Sequence, residues 1–270
     1  MADTLKVTIL GCGSSGGVPR IGGHWGACDP ANPKNRRQRC SILAERIGAG
    51  GRTTVLVDTS PDMRNQLLDA GIGRLDAVLY SHEHADHTHG IDDLRAIALN
   101  MRARVPVYLD ATTADFVMSR FAYCFETPMG STYPPILTAR QLRPGREEVI
   151  DGEGGPLAAL PFKLPHGDID ALGYRFGGLA YTPDLNGVTD AATGALTGLD
   201  VWIVDALRRT PHPSHLSLDE TLALIERFRP ARAILTNMHI DLDYETLRAE
   251  LPPGVEPAHD GMVVELALQT

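Results

Sequence analysis

The stretch Ser81-His82-Glu83-His84-Ala85-Asp86-His87 places four metal-ligand side chains within six residues, directly behind an apolar run. Side chains two apart in an extended segment point to the same face, so His82 and His84 can hold one ion while Asp86 and His87 address a neighbouring ion. The alternative is a polar turn with clustered histidines, but with ten histidines in 270 residues this spacing is unexpected by chance. The stretch therefore predicts a metal site at a strand end.

His-x-His-x-Asp-His behind an apolar strand resembles the signature of the metallo-β-lactamase superfamily of hydrolases. The resemblance implies an α/β fold, the αββα sandwich of two mixed β-sheets flanked by helices, as one hydrolase domain over residues 1–270. It also implies two divalent metal ions, for which imidazole and carboxylate ligands suit zinc, manganese or iron. The seven ligands that it implies divide between these ions: His82, His84 and His166 on one, Asp86, His87 and His239 on the other, and Asp184 between them.

The last of these ligands departs from the usual pattern, which has a histidine directly after the strand threonine. Here Thr236 is followed by Asn237, and His239 comes two residues later. In an extended strand these two positions project to one face, about 6.6 Å apart at roughly 3.3 Å per residue. Because imidazole binds these ions better than an amide oxygen, we expect a local bend to recruit His239 and Asn237 to support the loop by hydrogen bonds. The alternative is that His239 is a surface residue and the second ion has lost a ligand.

The glycine-rich turn after the first strand has two interpretations. Gly11-x-Gly13-x-x-Gly16 matches a dinucleotide-binding fingerprint, but Gly17 and Pro19 break the helix which that fingerprint needs. The turn and the Arg-Arg-x-x-Cys-Ser segment at residues 36–41 are instead similar to the phosphoribosyl cyclic phosphodiesterase (PhnP-like) branch of the superfamily. We interpret the basic residues there as a solvated loop, with phosphate binding as the alternative; they are Lys34, Arg36, Arg37 and Arg39.

The same branch suggests roles for further residues. His215 precedes a predicted helix, at the place of the branch's proton-transfer histidine, so we expect His215 and Asp86 to be the catalytic residues. Asp58 ends a predicted strand and is expected to hold the histidine stretch by hydrogen bonds. The role of His212 is left open: it is either an ordinary polar residue or a substrate contact. Whether a structural zinc site exists near His24 and Cys28 is also left undecided, because the branch uses three cysteines there.

Composition and charge narrow the class of partner. The formal net charge of −9 argues against an extended nucleic-acid partner, and no apolar run is long enough to cross a membrane. No export signal is recognisable at the first residues, so we expect a cytoplasmic protein. The four cysteines form no CxxC pair and are expected to be free thiols. A homodimer is compatible with the sequence.

These observations predict a dinuclear metal-dependent hydrolase of small phosphodiesters, including cyclic sugar or nucleotide phosphates. Fold alone does not choose the reaction, so two alternatives remain. One is a thioester or lactone hydrolase, which would use the same ions without His215. The other is a non-catalytic metal-binding accessory protein, similar to the quinone-cofactor proteins of the same superfamily.

Overall fold

In the computed structural model, which describes residues 3–268, fourteen strands form two seven-stranded sheets. The strands are β1 Thr4–Gly11, β2 Ser41–Gly48, β3 Gly51–Val57, β4 Ala77–Leu79, β5 Val105–Leu109, β6 Leu137–Gln141, β7 Glu148–Ile150, β8 Leu157–His166, β9 Ile169–Phe176, β10 Leu179–Thr182, β11 Val201–Asp205, β12 Arg232–Thr236, β13 Val255–Pro257 and β14 Met262–Ala267. The α-helices are α1 Met63–Asp69, α2 Ala85–Thr88, α3 Leu94–Met101, α4 Ala111–Phe125, α5 Asp190–Leu196, α6 Leu218–Phe228 and α7 Tyr244–Glu250.

Both sheets are mixed, and each changes from antiparallel to parallel pairing along its width. The first has the order β14-β1-β2-β3-β4-β5-β6, antiparallel as far as β3 and parallel beyond it. The second has the order β13-β12-β11-β10-β9-β8-β7, parallel as far as β10 and antiparallel beyond it. The two mixed sheets with flanking helices confirm the predicted αββα sandwich.

Alternation along β1 separates two cores. Leu5, Val7 and Ile9 are fully buried in the core that both sheets share, because side chains two apart in a strand point to one face. Leu10 points the other way, into a second core that also contains apolar residues of α1, α3 and α4. Fully burying an aliphatic side chain of this kind stabilises a fold by about 1.5–3 kcal/mol. Both faces of the first sheet are therefore held, one by the second sheet and one by helices.

The predicted site residues lie at or just beyond the ends of strands from both sheets. The histidine stretch follows β4, Asp184 follows β10, and His166 is the last residue of β8. Asp58 and Asn237, directly after β3 and β12, have φ angles of 65° and 59°. This left-handed region is one that Asp and Asn adopt more readily than other non-glycine residues, so the chain turns sharply after both strands.

Within residues 3–268, none of the helices combines the length and the apolar character that crossing a lipid bilayer requires.

Candidate metal centre

Three histidines bring ligand nitrogens together beside the end of β4. One ring nitrogen each of His82, His84 and His166 lie within 4.8 Å of one another. Nδ1 of His84 is 3.2 Å from Nε2 of His166, although the two residues are 82 apart in the chain. The first predicted ligand group is therefore assembled by two separate strands.

A second group forms around His87 and two carboxylates. Nε2 of His87 lies 3.0 Å from Oδ2 of Asp184 and 3.5 Å from Oδ2 of Asp86. His82, His87 and Asp184 also offer ligand atoms within 4.8 Å of one another. Asp184 therefore adjoins both groups, as a bridging ligand must.

Asp58 holds the histidine stretch through hydrogen bonds, as predicted. Its Oδ1 accepts from the Ser81 backbone N–H at 2.7 Å, and its Oδ2 accepts from the Ser81 hydroxyl at 2.7 Å. Nδ1 of His87 donates to the same Oδ2 at 2.8 Å. Because Asp58 is fully buried, these bonds are shielded from water and fix the His87 ring with Nε2 towards the carboxylates.

His166 is oriented in the same manner. Its Nδ1 donates to the carbonyl oxygen of Ser214 at 2.6 Å, which leaves Nε2 as the nitrogen with a free lone pair. A hydrogen bond at one ring nitrogen commonly orients the other towards a metal.

Buried atoms without partners provide a test of whether ions fit here. Within residues 3–268, eight buried side-chain atoms have no hydrogen-bond partner at standard angles, and three of them are Nε2 of His82, Nε2 of His87 and Oδ2 of Asp184. Leaving such atoms unpaired costs free energy, so native sites normally supply a partner. All three atoms belong to the candidate ligand set, and divalent ions would satisfy them.

The electrostatics of the two groups favour a cation. Burial lowers the pKa of His82, so its imidazole is neutral and keeps the lone pair that a metal requires. Burial alone would also lower the pKa of His87, but the carboxylates of Asp184, Asp86 and Asp58 raise it well above its ordinary value. Three carboxylates around one imidazole concentrate negative charge, and metal ions bound here would neutralise it.

His215 lies beside these groups and has a carboxylate partner of its own. Its Nδ1 is 2.9 Å from Oδ2 of the fully buried Asp205 and 3.5 Å from Oδ1 of Asp184. Burial alone would lower the pKa of His215, but the hydrogen bond to Asp205 and the charges of Asp205 and Asp184 raise it. The imidazole therefore carries a proton more readily than a free histidine.

His239 is placed differently from the prediction. Because Asn237 turns into the left-handed region, the strand does not continue as far as His239. Nδ1 of His239 donates to Oδ1 of Asp241 at 3.0 Å, and its Nε2 accepts from Nη2 of Arg20. Both ring nitrogens are thus engaged, and the ligand groups found within residues 3–268 do not include His239.

Asn237 supports the site, as predicted. Its Nδ2 donates to the Pro183 carbonyl at 3.1 Å and to Oδ1 of Asp184 at 3.2 Å, and it lies 3.1 Å from Nδ1 of His215. This amide therefore links the bridging carboxylate to the candidate proton donor.

The region of His24 and Cys28 carries no ligand group among the described residues. His24 is exposed, whereas Cys28 is buried with its Sγ 3.9 Å from Nη1 of Arg37. Arg37 itself is only 2% exposed, so the interpretation of the whole basic segment as a solvated loop is wrong at this residue. Its guanidinium donates to the carbonyl oxygens of His239 at 3.3 Å and Leu242 at 2.6 Å. A buried cation thus connects this segment to the loop that follows β12.

A polar cavity of about 330 Å³ opens onto the two ligand groups. His212, which the sequence left open, lines this cavity together with His215. Two arginines line it as well, Arg20 and Arg208, and sequence reasoning missed both. The cavity therefore combines ligand groups, a candidate proton donor and positive charge.

Comparisons with known proteins agree with this geometry. The family described as "Beta-lactamase superfamily domain" matches residues 53–240. A crystal structure of a new diphosphatase from the PhnP family is similar over 98% of both chains, with 33% identity and a TM-score of 0.86.

Other similar proteins carry different names. An octanoyltransferase of Porphyromonas gingivalis is 33% identical over 264 residues, which are 96% of this chain but only 51% of that protein. The chain thus spans about half the length of this relative. The crystal structure of Zn²⁺-bound PqqB from Methylobacterium extorquens shares the fold at 19% identity, with a TM-score of 0.73 over 97% of this chain and 100% of that one.

Proposed function

Because the chain belongs to the β-lactamase superfamily, as a hydrolase of the metallo-β-lactamase fold in the PhnP family, we propose that it is a metal-dependent phosphodiesterase acting on small phosphodiesters, cyclic ones included. The observation that carries this proposal is the position of His215, a histidine paired with Asp205 beside two ligand groups. Cleavage of a phosphodiester expels an alkoxide, which requires a proton at the moment of departure.

His215 is suited to supply that proton. Its Nδ1 is engaged by Asp205, so Nε2 is the nitrogen available to the cavity that it lines. The hydrogen bond to Asp205 and the charge of that carboxylate raise the pKa of His215, which favours the protonated imidazole. Asp205 stabilises the cation and fixes the ring orientation, a role that buried carboxylates often play behind catalytic histidines.

The metal ions would be held by the groups described above. His82, His84 and His166 would hold one ion, Asp86 and His87 the other, with Asp184 between them. Bound divalent ions supply an activated water at neutral pH and neutralise charge on the phosphoryl oxygens. We propose zinc, manganese or iron, because these ions accept both imidazole and carboxylate ligands.

The size and charge of the site support a small substrate. A cavity of about 330 Å³ is near the lower end for ligand pockets. The net charge of −9 opposes long contacts with a polymeric phosphate backbone. We therefore propose sugar-sized or mononucleotide-sized substrates and neither extended nucleic acid nor a membrane as partner.

Two other functions use the same fold. A thioester hydrolase would keep the metal groups but would not need His215, since a thiolate leaves readily without a proton. A lactone hydrolase would also keep the metal groups, although its leaving group is an alkoxide. An accessory protein without turnover would bind metal only. The pairing of His215 with a buried carboxylate favours a phosphodiesterase over a thioester hydrolase and over a protein without turnover.

One activity screen separates these proposals. Purified protein loaded with zinc or manganese is assayed against cyclic and linear phosphodiesters, a structured RNA, an octanoyl thioester and a lactone. We expect the fastest turnover on a small phosphodiester. Faster hydrolysis of the thioester or lactone would replace the proposal with the first alternative, and metal binding without any turnover would replace it with the second. Preference for the RNA would overturn the proposed substrate size.

A further inference from the structure

The two candidate metal groups offer different kinds of ligand. The first consists mainly of imidazoles and shares one carboxylate with the second; its members are His82, His84, His166 and Asp184. The second places the imidazole of His87 between the carboxylates of Asp86 and Asp184, which lie 3.5 and 3.0 Å from its Nε2. Imidazole suits zinc, whereas carboxylate, carbonyl and water oxygens suit manganese and magnesium. The chain therefore offers a nitrogen-rich site beside an oxygen-rich one.

Asn237 accounts for the low imidazole content of the second group. It stands directly after Thr236, where the usual pattern of the superfamily has a histidine. Its side chain lies beside the shared carboxylate, with Nδ2 3.2 Å from Oδ1 of Asp184. A histidine at this place would add an imidazole next to Asp184, and this chain has an amide instead. The exchange of one residue thus separates the two groups in their ligand chemistry.

The Asn237 side chain meets the shared carboxylate with its amide nitrogen. Nδ2 donates to the Pro183 carbonyl at 3.1 Å and to Oδ1 of Asp184 at 3.2 Å. Both partners only accept hydrogen bonds, so they fix the orientation in which the NH₂ group lies beside the carboxylate. An amide NH₂ group donates and has no lone pair to offer an ion. Asn237 therefore supplies no ligand in this orientation.

Neither a thiol nor another imidazole replaces the missing ligand. Within residues 3–268 the ligand groups contain no cysteine, and the Cys40 thiol lies 3.6 Å from the hydroxyl of Thr236. The group that includes His215 contains His166 and not His87. Both ring nitrogens of His239 are engaged by other side chains. The second group thus keeps a single imidazole among the described residues.

Solvent can complete the coordination of an ion in the second group. Asp86 and Asp184 line the polar cavity, and the Asp86 side chain is 21% exposed. An oxygen-rich group that is open to water suits the octahedral geometry that manganese and magnesium adopt, whereas zinc in proteins is commonly tetrahedral. One imidazole and two carboxylates, completed by water, therefore favour an ion of the manganese type at this position.

We propose that Asn237 is a specificity-determining residue that gives the centre two different ions, zinc in the first group and manganese in the second. Ligand type and geometry are the means by which protein sites select against the generally tighter binding of zinc. This inference rests on the metal-binding part of the proposed function. It does not depend on which ester the protein cleaves.

Metal content measured by elemental analysis tests the proposal without an activity assay. Purified protein is dialysed to equilibrium against zinc, buffered by a chelator, with manganese in large excess, because zinc binds a given site more tightly. We expect about one zinc and about one manganese ion per chain in the wild type, and about two zinc ions in Asn237→His. Histidine tolerates the left-handed conformation at this position, where φ is 59°, so the variant should fold. Two zinc ions in the wild type, or the same metal content in both proteins, would overturn the proposal.

Further variants assign the ions to the two groups. Asn237→Ala removes the amide without adding an imidazole, so it should keep the mixed metal content. Loss of manganese from this variant would make the amide a ligand and overturn the proposal. Asp86→Ala should lose manganese and His84→Ala should lose zinc, and the opposite assignment would also overturn it. Circular dichroism spectra like that of the wild type would show that the variants are folded.

A spectroscopic measurement distinguishes a mixed centre from a mixture of two pure ones. Because zinc is diamagnetic, electron paramagnetic resonance of the wild type should show isolated Mn²⁺ ions. The spectrum of a coupled manganese pair would overturn the proposal. Mixed metal content without turnover of any phosphodiester would contradict the proposed function and leave this inference standing. Two zinc ions with phosphodiester turnover would do the reverse, and the absence of bound metal would overturn both.

Discussion

Nδ1 of His215 lies 2.9 Å from Oδ2 of Asp205, whose carboxylate is fully buried at the end of β11. This pairing raises the pKa of His215 against the effect of burial. This imidazole lines a polar cavity together with candidate metal ligands and two arginines. The first two predictions follow from this pair.

Replacing His215 by Ala should lower phosphodiester turnover by about 10²–10⁴-fold, because the leaving alkoxide loses its proton donor. Metal content should not change. His89→Ala is the control, since His89 is exposed and makes an edge-to-face contact with Phe121. Steady-state kinetics and elemental analysis check both points. His166, Asp184 and His215 offer ligand atoms within 4.8 Å, so loss of metal in His215→Ala would make His215 a ligand instead.

Replacing Asp205 by Asn should move the alkaline limb of the pH–rate profile to lower pH. A general acid works only while protonated, so activity falls as the pH rises through the pKa of His215. Asp205 raises that pKa, and its removal should lower it. The kcat profile of the variant, measured between neutral and alkaline pH, checks this. An unchanged alkaline limb would mean that another group controls it.

Metal-saturated protein should hold close to two transition-metal ions per chain. His84→Ala removes a ligand of the first group and Asp86→Ala one of the second, so each should reduce the stoichiometry. Glu83→Ala, at the position between His82 and His84 in the motif, should not. Elemental analysis after dialysis checks the three variants. One ion or none in the saturated wild type would contradict the dinuclear arrangement.

His239→Ala should retain both ions. The ring nitrogens of His239 are engaged by Asp241 and Arg20, so its removal takes no ligand away. Metal stoichiometry of the variant is the direct measurement. A fall to one ion would restore the role that the sequence predicted, in which His239 completes the second site.

Asp243 should stabilise the fold through an acid-sensitive contribution. It caps α7 by accepting from the Thr246 N–H, and it also accepts from Asp29 and Asn35. Burial alone would raise its pKa, but these hydrogen bonds lower it to about 2, below the ordinary 3.8. The carboxylate therefore stabilises the fold above about pH 4, and this contribution is lost as the pH falls towards 2.

Asp243→Ala should accordingly lower the free energy of unfolding by about 0.5–2 kcal/mol near neutral pH, the usual cost of removing a helix cap. The difference from the wild type should shrink as the pH falls from 4 to 2. Denaturant titrations across this range check the trend, with exposed Asp115→Ala as control. A difference that grows on acidification would contradict the assigned sign.

Much of the fold followed from the sequence because its signals are local. The histidine stretch after a short apolar strand identified the superfamily, and the strands that end at His166 and before Asp184 were found by the same pattern. Strand β9 was missed, although Gly167-Asp168 is a two-residue turn between two alternating runs and signals a hairpin.

The site was harder to predict where distant residues meet. A local bend that recruits His239 was expected after Thr236. The chain does turn at Asn237, one of the few residue types that adopt the left-handed region, but the His239 ring contacts Asp241 and Arg20. Arg20 is 219 residues from His239, and no local sequence pattern predicts that pairing. The interpretation of Arg37 as solvated failed for the same reason, because its acceptors lie 202 and 205 residues away.

The bonds of Arg37 also bear on the order in which the molecule can be completed during synthesis. The Arg37 guanidinium leaves the ribosome long before the His239 and Leu242 carbonyls that it binds. In the same way, β1 is synthesised long before β14, the strand with which it pairs. Contacts of such large sequence separation form late, because the chain must first lose the entropy of closing a long loop. The candidate ligands beside β4, β8 and β10 precede β12 in the chain, so they are synthesised before the wall that carries His239. The last part of the cavity to leave the ribosome is therefore a wall and not a ligand group.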